Sequence, residues 1–257
     1  MYLINMKNLL SLVLFLLAAS FAFAQSDKII LESPVEFKDK IEISADTNSI
    51  FIGIDAGLNI DNSGADHNVF LGASAGKQTT IGVNNVFLGS NAGEQNIDGN
   101  NNVFIGRQAG RDAIRTIGNV IIGFNTGLNT NTGQNNVFLG MDTGFKNQNG
   151  DNNTYLGANA GKQNVSGLGN VFVGYNAGFN ELGSGKLYID NSATDNALIK
   201  GDFFNDQLEL NGAVHIRDFM KLTPGAAPSN PETGTIYYDN SDDKVKVWTG
   251  AVWENLN

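Results

Sequence analysis

One nine-residue phrase recurs eight times in this chain and limits its fold more than any other feature. From Ser49 onward the sequence reads SIFIGIDAG, NVFLGASAG, NVFLGSNAG, NVFIGRQAG, NVIIGFNTG, NVFLGMDTG, NTYLGANAG and NVFVGYNAG, with short polar linkers between the copies. The glycines in mid-phrase are Gly53, Gly72, Gly89, Gly106, Gly123, Gly140, Gly157 and Gly174, so the first interval is 19 residues and the other six are 17. A second glycine follows four residues later in every copy. A fixed period over about half the chain is the mark of stacked units, each too small to bury an apolar face alone.

The apolar stretch of each phrase is three residues long and β-rich, which suits a short strand and is too short for a helix. Glycine after every strand fits a corner at positive φ, and Asn, Asp and Gly in linkers such as Gln95-Asn96-Ile97-Asp98-Gly99-Asn100 supply another turn. The expected fold is therefore all-β. It is a parallel β-roll of eight 17-residue coils, each with two short strands, stacked at roughly 4.8 Å into a rod about 40 Å long. Columns in sequence then become ladders in space. Asn68, Asn85, Asn102, Asn119, Asn136, Asn153 and Asn170 precede the strands and are expected to form a hydrogen-bonded amide ladder, with Ser49 as the exception at the end. The small residues Ala56, Ala75, Ala92, Ala109, Thr126, Thr143, Ala160 and Ala177 fit the opposing wall of a thin core.

Side chains alternate along a strand, so the middle column must face away from its two neighbours. With the Val and Leu columns inside, Phe51, Phe70, Phe87, Phe104, Ile121, Phe138, Tyr155 and Phe172 form an outer stripe. At about 100 Å² each the stripe approaches about 800 Å², more than the largest apolar patch of a typical monomer. These eight residues are thus the expected oligomer interface. The opposite arrangement, rings inside and Val/Leu pairs outside, leaves an equally large apolar face and the same conclusion of self-association.

The Asn-Val-Phe-Leu-Gly phrases resemble the head repeats of trimeric autotransporter adhesins of the YadA type, over about Ser49 to Asn180. They are also similar to repeats in secreted proteins of Bacteroidetes-like bacteria and in phage tail fibres. The resemblance implies a left-handed roll and a homotrimer. Those adhesin heads carry a shorter repeat with Ala where this chain has Phe, so their ligands are not carried over. No heptads follow the roll for a stalk, and no barrel anchor is evident.

The flanks read as follows. Residues 1–24 look like a signal peptide: Lys7, an apolar run from Leu9 to Ala19, and Ala22-Phe23-Ala24 before a cut at Gln25, with Met6 as an alternative start. The run is shorter than the roughly 20 residues of a membrane span. Residues 25–48 are expected to form an N-terminal cap or shaft, 49–183 the roll, 184–222 a β-rich cap or neck, and 223–257 a linker and small terminal β-module. In that module Tyr237, Tyr238, Trp248 and Trp253 are candidate ligand-facing aromatics, with a small β core as their commoner role.

Chemistry is sparse. His67 and His215 neither repeat nor accompany a nucleophile, and Asp239, Ser241 and Asp243 suit an Asx-rich turn better than a calcium loop. No cysteine is present, which removes disulfides and thiolate metal sites, and no cofactor or metal is expected. A net charge of −10 argues against nucleic acid. The expectation is an exported, non-enzymatic structural or adhesive element, extracellular or at the cell surface. Its partner is itself as a homotrimer, with a host or environmental surface protein or glycan as a further ligand. The alternatives are a tail-fibre-like module recognising a receptor or glycan through its C-terminal module, and a solenoid enzyme.

Overall fold

A computed structural model describes residues 48–61 and 67–256, all within the unit Asp46–Asn257. The expected signal peptide at 1–24 and residues 25–47 of the expected cap lie outside the described residues. Among those described there is no helix. Eleven strands form one sheet in chain order: β1 (Ile50–Ile52), β2 (Val69–Leu71), β3 (Val86–Leu88), β4 (Val103–Ile105), β5 (Val120–Ile122), β6 (Val137–Leu139), β7 (Thr154–Leu156), β8 (Val171–Val173), β9 (Lys186–Ile189), β10 (Ile199–Asp202) and β11 (Gln207–Leu210). Pairing is parallel from β1 to β9 and antiparallel for β9–β10–β11, so a hairpin ladder continues the parallel stack. A separate four-stranded sheet holds β12 (Pro224–Gly225), β13 (Ile236–Asp239), β14 (Lys244–Trp248) and β15 (Trp253–Asn255).

Phrase and register coincide, because equivalent residues pair directly: Val86 opposite Val103, Phe87 opposite Phe104, Leu88 opposite Ile105. Each phrase supplies one strand, not the expected pair. The second wall is a succession of turns in which left-handed residues such as Asn91 (φ 59°) and Asn101 (φ 58°) bend the chain before a strand can form. That wall is still bonded from coil to coil: Gly93 N–H donates to Ala109 C=O at 3.0 Å and Gln95 N–H to Arg111 C=O at 2.9 Å.

The aromatic column lies inside, and this corrects the expected interface. Phe70, Phe87, Phe104, Ile121, Phe138, Tyr155 and Phe172 are all 0% exposed, and Phe51 packs against the same core from its end. Neighbouring rings stack with centroids 4.7 Å apart for Phe70–Phe87 and 4.6 Å for Tyr155–Phe172, close to the spacing of parallel strands. None of the seven fully buried side chains is free to meet a second copy. The physical reason is volume. A coil this wide needs a large side chain to fill it, a ring in seven copies and Ile121 in the eighth, which the Val column could not supply.

The second glycine of the phrase makes room for the ring. Gly110 sits at φ 55°, and a Cβ there would come within 2.7 Å of the Phe104 ring. The first glycine serves the stacking. Gly106 has φ 129°, and a Cβ there would meet the carbonyl of Gly123 in the next coil. The expected small-residue wall is in place, since Ala75, Ala92, Ala109, Thr126, Thr143, Ala160 and Ala177 are fully buried.

Candidate interaction surfaces

The asparagine column forms the ladder that its residue type and spacing suggest. Asn68, Asn85, Asn102, Asn119, Asn136, Asn153 and Asn170 are fully buried. Each backbone N–H from Asn85 to Asn170 donates to the side-chain oxygen one coil earlier, for example Asn85 to Asn68 Oδ1 at 2.9 Å and Asn170 to Asn153 Oδ1 at 2.9 Å. At one end Ser49 Oγ takes the same role for Asn68 N–H at 3.0 Å, and at the other Lys186 N–H continues the column to Asn170 Oδ1 at 2.8 Å. The amide nitrogen braces its own coil: Asn85 Nδ2 donates to Gly99 C=O at 2.7 Å and Asn136 Nδ2 to Gly150 C=O at 2.7 Å. One side chain thus ties a coil to its neighbour and closes it on itself. Burying an amide here is affordable because both of its ends are bonded.

A further inward column was missed by the sequence reading. Thr79, Asn96, Ala113, Thr130, Asn147 and Asn164 occupy the place eleven residues after each ladder asparagine and are buried. Asn164 is bonded, its Oδ1 accepting from Gly167 N–H at 2.7 Å and its Nδ2 donating to Glu181 C=O at 2.9 Å, whereas the side-chain amides of Asn96 and Asn147 have no partner among the described residues. The fixed offset was the available signal. It was masked because Thr, Asn and Ala alternate within polar linkers.

With the rings inside, the outer face of the sheet carries the aliphatic columns. Ile50, Val69, Val86, Val103, Val120, Val137, Thr154 and Val171 form one ridge, and Ile52, Leu71, Leu88, Ile105, Ile122, Leu139, Leu156 and Val173 the other. All are partly or largely open, from 36% at Val86 to 49% at Ile52 among the most exposed. At about 60 Å² each, the two ridges present about 1,000 Å². That exceeds the largest apolar patch of an ordinary monomer and matches one side of a standard protein interface.

Beyond the roll, a groove of about 950 Å³ is lined by Glu181, Lys186, Tyr188, Lys200, Asp202 and Glu209, among others. Its charges are largely used up within the protein. Lys186 Nζ contacts Asp202 at 2.6 Å, Tyr188 hydroxyl donates to Glu181 at 2.9 Å, and Lys200 lies 5.7 Å from the Tyr188 ring. The Lys186 ammonium, followed by a hydrogen bond from Asn205, holds the Asp202 carboxyl down to about 2. Burial raises the Tyr188 hydroxyl well above its ordinary range.

In the terminal sheet three of the four candidate aromatics share one face. Tyr237 meets Trp253 edge to face with centroids at 4.6 Å, and Trp253 lies 5.4 Å from Trp248. Tyr238 alternates to the other face, paired with Val245 and Pro224. The three rings pack on one another, which suits a small β core better than an open stacking platform for sugar. Asp239 beside them is buried and fully engaged. Its Oδ1 accepts from Ser241 N–H at 2.8 Å and Ser241 Oγ at 2.6 Å; its Oδ2 accepts from Tyr237 hydroxyl and Lys246 Nζ, both at 2.7 Å. This is Asx-turn geometry, not an arrangement of outward ligands. Lys246, then Ser241 and Tyr237, hold the Asp239 carboxyl far below the usual carboxylate range.

The histidines stay apart. His67 occupies a left-handed turn position (φ 61°) and His215 an irregular stretch, both exposed. Among the described residues no group of three or more His, Asp or Glu is placed to hold a metal ion, and no helix is long and apolar enough to cross a membrane. The class that fold and surfaces define is a parallel β-solenoid with a continuous apolar outer face. Comparison with protein-family models, with curated proteins and with solved structures finds no match.

Proposed function

We propose that this is an exported, non-enzymatic repeat protein that assembles with copies of itself, as a trimer, into a rigid element of a cell surface or fibre. The observation that carries this reading is the pair of Val/Leu ridges on the outside of a coil already filled by its rings. Folding one chain leaves that face open, and a closed ring of identical chains is the economical way to cover it. The resemblance to adhesin head repeats favours three copies. Stacked coils locked by the asparagine ladder give the stiffness a display element needs, and many identical copies make weak contacts to a surface effective.

Light scattering on the processed chain tests this directly. The expected mass is three times that of one chain, and Val103→Lys with Ile105→Lys should reduce it to one, with circular dichroism unchanged. A wild-type chain that stays single at micromolar concentration sinks the reading.

A further inference from the structure

The strongest unexplained feature lies just after β11. This strand pairs with β10 alone, so its other edge is open. All residues from 211 to 221 are exposed, including Val214 (58%), Ile216 (52%), Phe219 (75%) and Met220 (64%). Within 212–222 no backbone group forms a hydrogen bond with the backbone of another described residue. Yet the local sequence, Gln207-Leu208-Glu209-Leu210-Asn211-Gly212-Ala213-Val214-His215-Ile216-Arg217, alternates on both sides of Asn-Gly, the strongest short signal for a hairpin.

The chain does not fold back, and register explains why. A two-residue Asn-Gly turn would set Leu210 against Ala213, Glu209 against Val214 and Leu208 against His215. Val214 and Ile216 would then share a face with Gln207 and Glu209, and Leu208 and Leu210 would sit with Ala213 and His215. Slipping by one residue would unite the apolar faces. That slip needs either a three-residue loop over 211–213 with Ala213 in the left-handed region, which a side chain with a Cβ disfavours, or one over 210–212, which would take Leu210 out of its pairing with Ile199 and Asn211 out of its bond to Leu198 C=O. A strand from another molecule is not bound by the turn and takes the favourable register freely.

We infer that Ala213–Arg217 is an intermolecular strand that adds to the open edge of β11 in a second copy of this chain, with Val214 opposite Leu210 and Ile216 opposite Leu208. The occupant is a second copy because each chain carries both the open β11 edge and the unpaired segment whose apolar pattern matches it. Such head-to-tail exchange builds a ring where its rotation closes and a filament where it does not, and either satisfies backbone groups that a lone edge leaves open. The inference rests on the self-association proposed above and names a second contact for it, separate from the Val/Leu ridges.

The absence of cysteine makes a clean test available in the full chain. Leu210→Cys with Val214→Cys, oxidised mildly, should give disulfide-linked multimers on a non-reducing gel that collapse to one band on reduction. A disulfide confined to one chain would mean a hairpin in cis and would overturn the inference, as would two thiols left free. Light scattering on the wild-type chain separates the levels. If the wild type is a single chain, self-association itself fails. If it is oligomeric while the thiols stay free or pair within one chain, only the exchanged strand fails. As a second measurement, Ile216→Pro should raise the concentration at which the assembly dissociates by tenfold or more; no change overturns the inference.

Discussion

The roll and the terminal sheet use strands of similar length to opposite effect. In the roll, three-residue strands bury Phe87, Phe104 and Phe138 completely, whereas β12–β15 leave Tyr237, Trp248 and Trp253 half-covered and bury only Asp239. Strand length is therefore not what makes a core here. Repetition is: Phe70, Phe87 and Phe104 stack ring on ring from coil to coil, as do Phe138, Tyr155 and Phe172, and the side-chain oxygen of each ladder asparagine finds its partner one coil away. The four-stranded sheet has no such neighbour, so it leans on a polar hub of Asp239, Lys246 and Tyr237.

That contrast can be broken first at the rings. Phe104→Ala should cost about 3–5 kcal/mol in denaturant unfolding, the loss expected for emptying a packed aromatic site. A loss below about 1 kcal/mol would mean that the rings are not the core. The ladder comes next. Asn119→Ala removes the acceptor for Asn136 N–H (2.9 Å) and the donor for Gly133 C=O (2.9 Å). At about 1–3 kcal/mol for each buried group left unpaired, the stability should fall clearly without loss of the fold.

Acid gives the smallest effect and separates the two regions. Asp202 has its folded pKa depressed to about 2 from 3.8, so its ionised form contributes stability that is present above about pH 4 and fades as pH falls toward 2. Asp239 shifts in the same direction and behaves alike. No carboxylate is buried in the roll among the described residues. Tryptophan emission comes only from Trp248 and Trp253, so it should change between pH 4 and 2 while the β-sheet circular dichroism of the roll persists. Simultaneous loss of both signals would show one cooperative unit and erase the contrast.

The ladder asparagines and the small-residue wall were legible because each fills one column with one kind of residue. The column of Thr79, Asn96 and Ala113 was not, since mixed residue types hide a shared position until a coil is closed. The number of strands per coil was misjudged for a related reason. Left-handed Asn and Asp residues such as Asn91 and Asp142 can bound a strand or replace one, and the sequence does not separate these cases.

By itself the sequence determined the period, the parallel stacking and the columns of the nine-residue phrase, because a 17-residue repeat allows identical residues only one way to meet. Which face of the strand points inward was decided by the tertiary structure alone. Alternation separates Phe from Val and Leu but is symmetric between inside and outside. The choice fell to volume, since a closed coil has room for a ring only where the glycine opposite has no side chain.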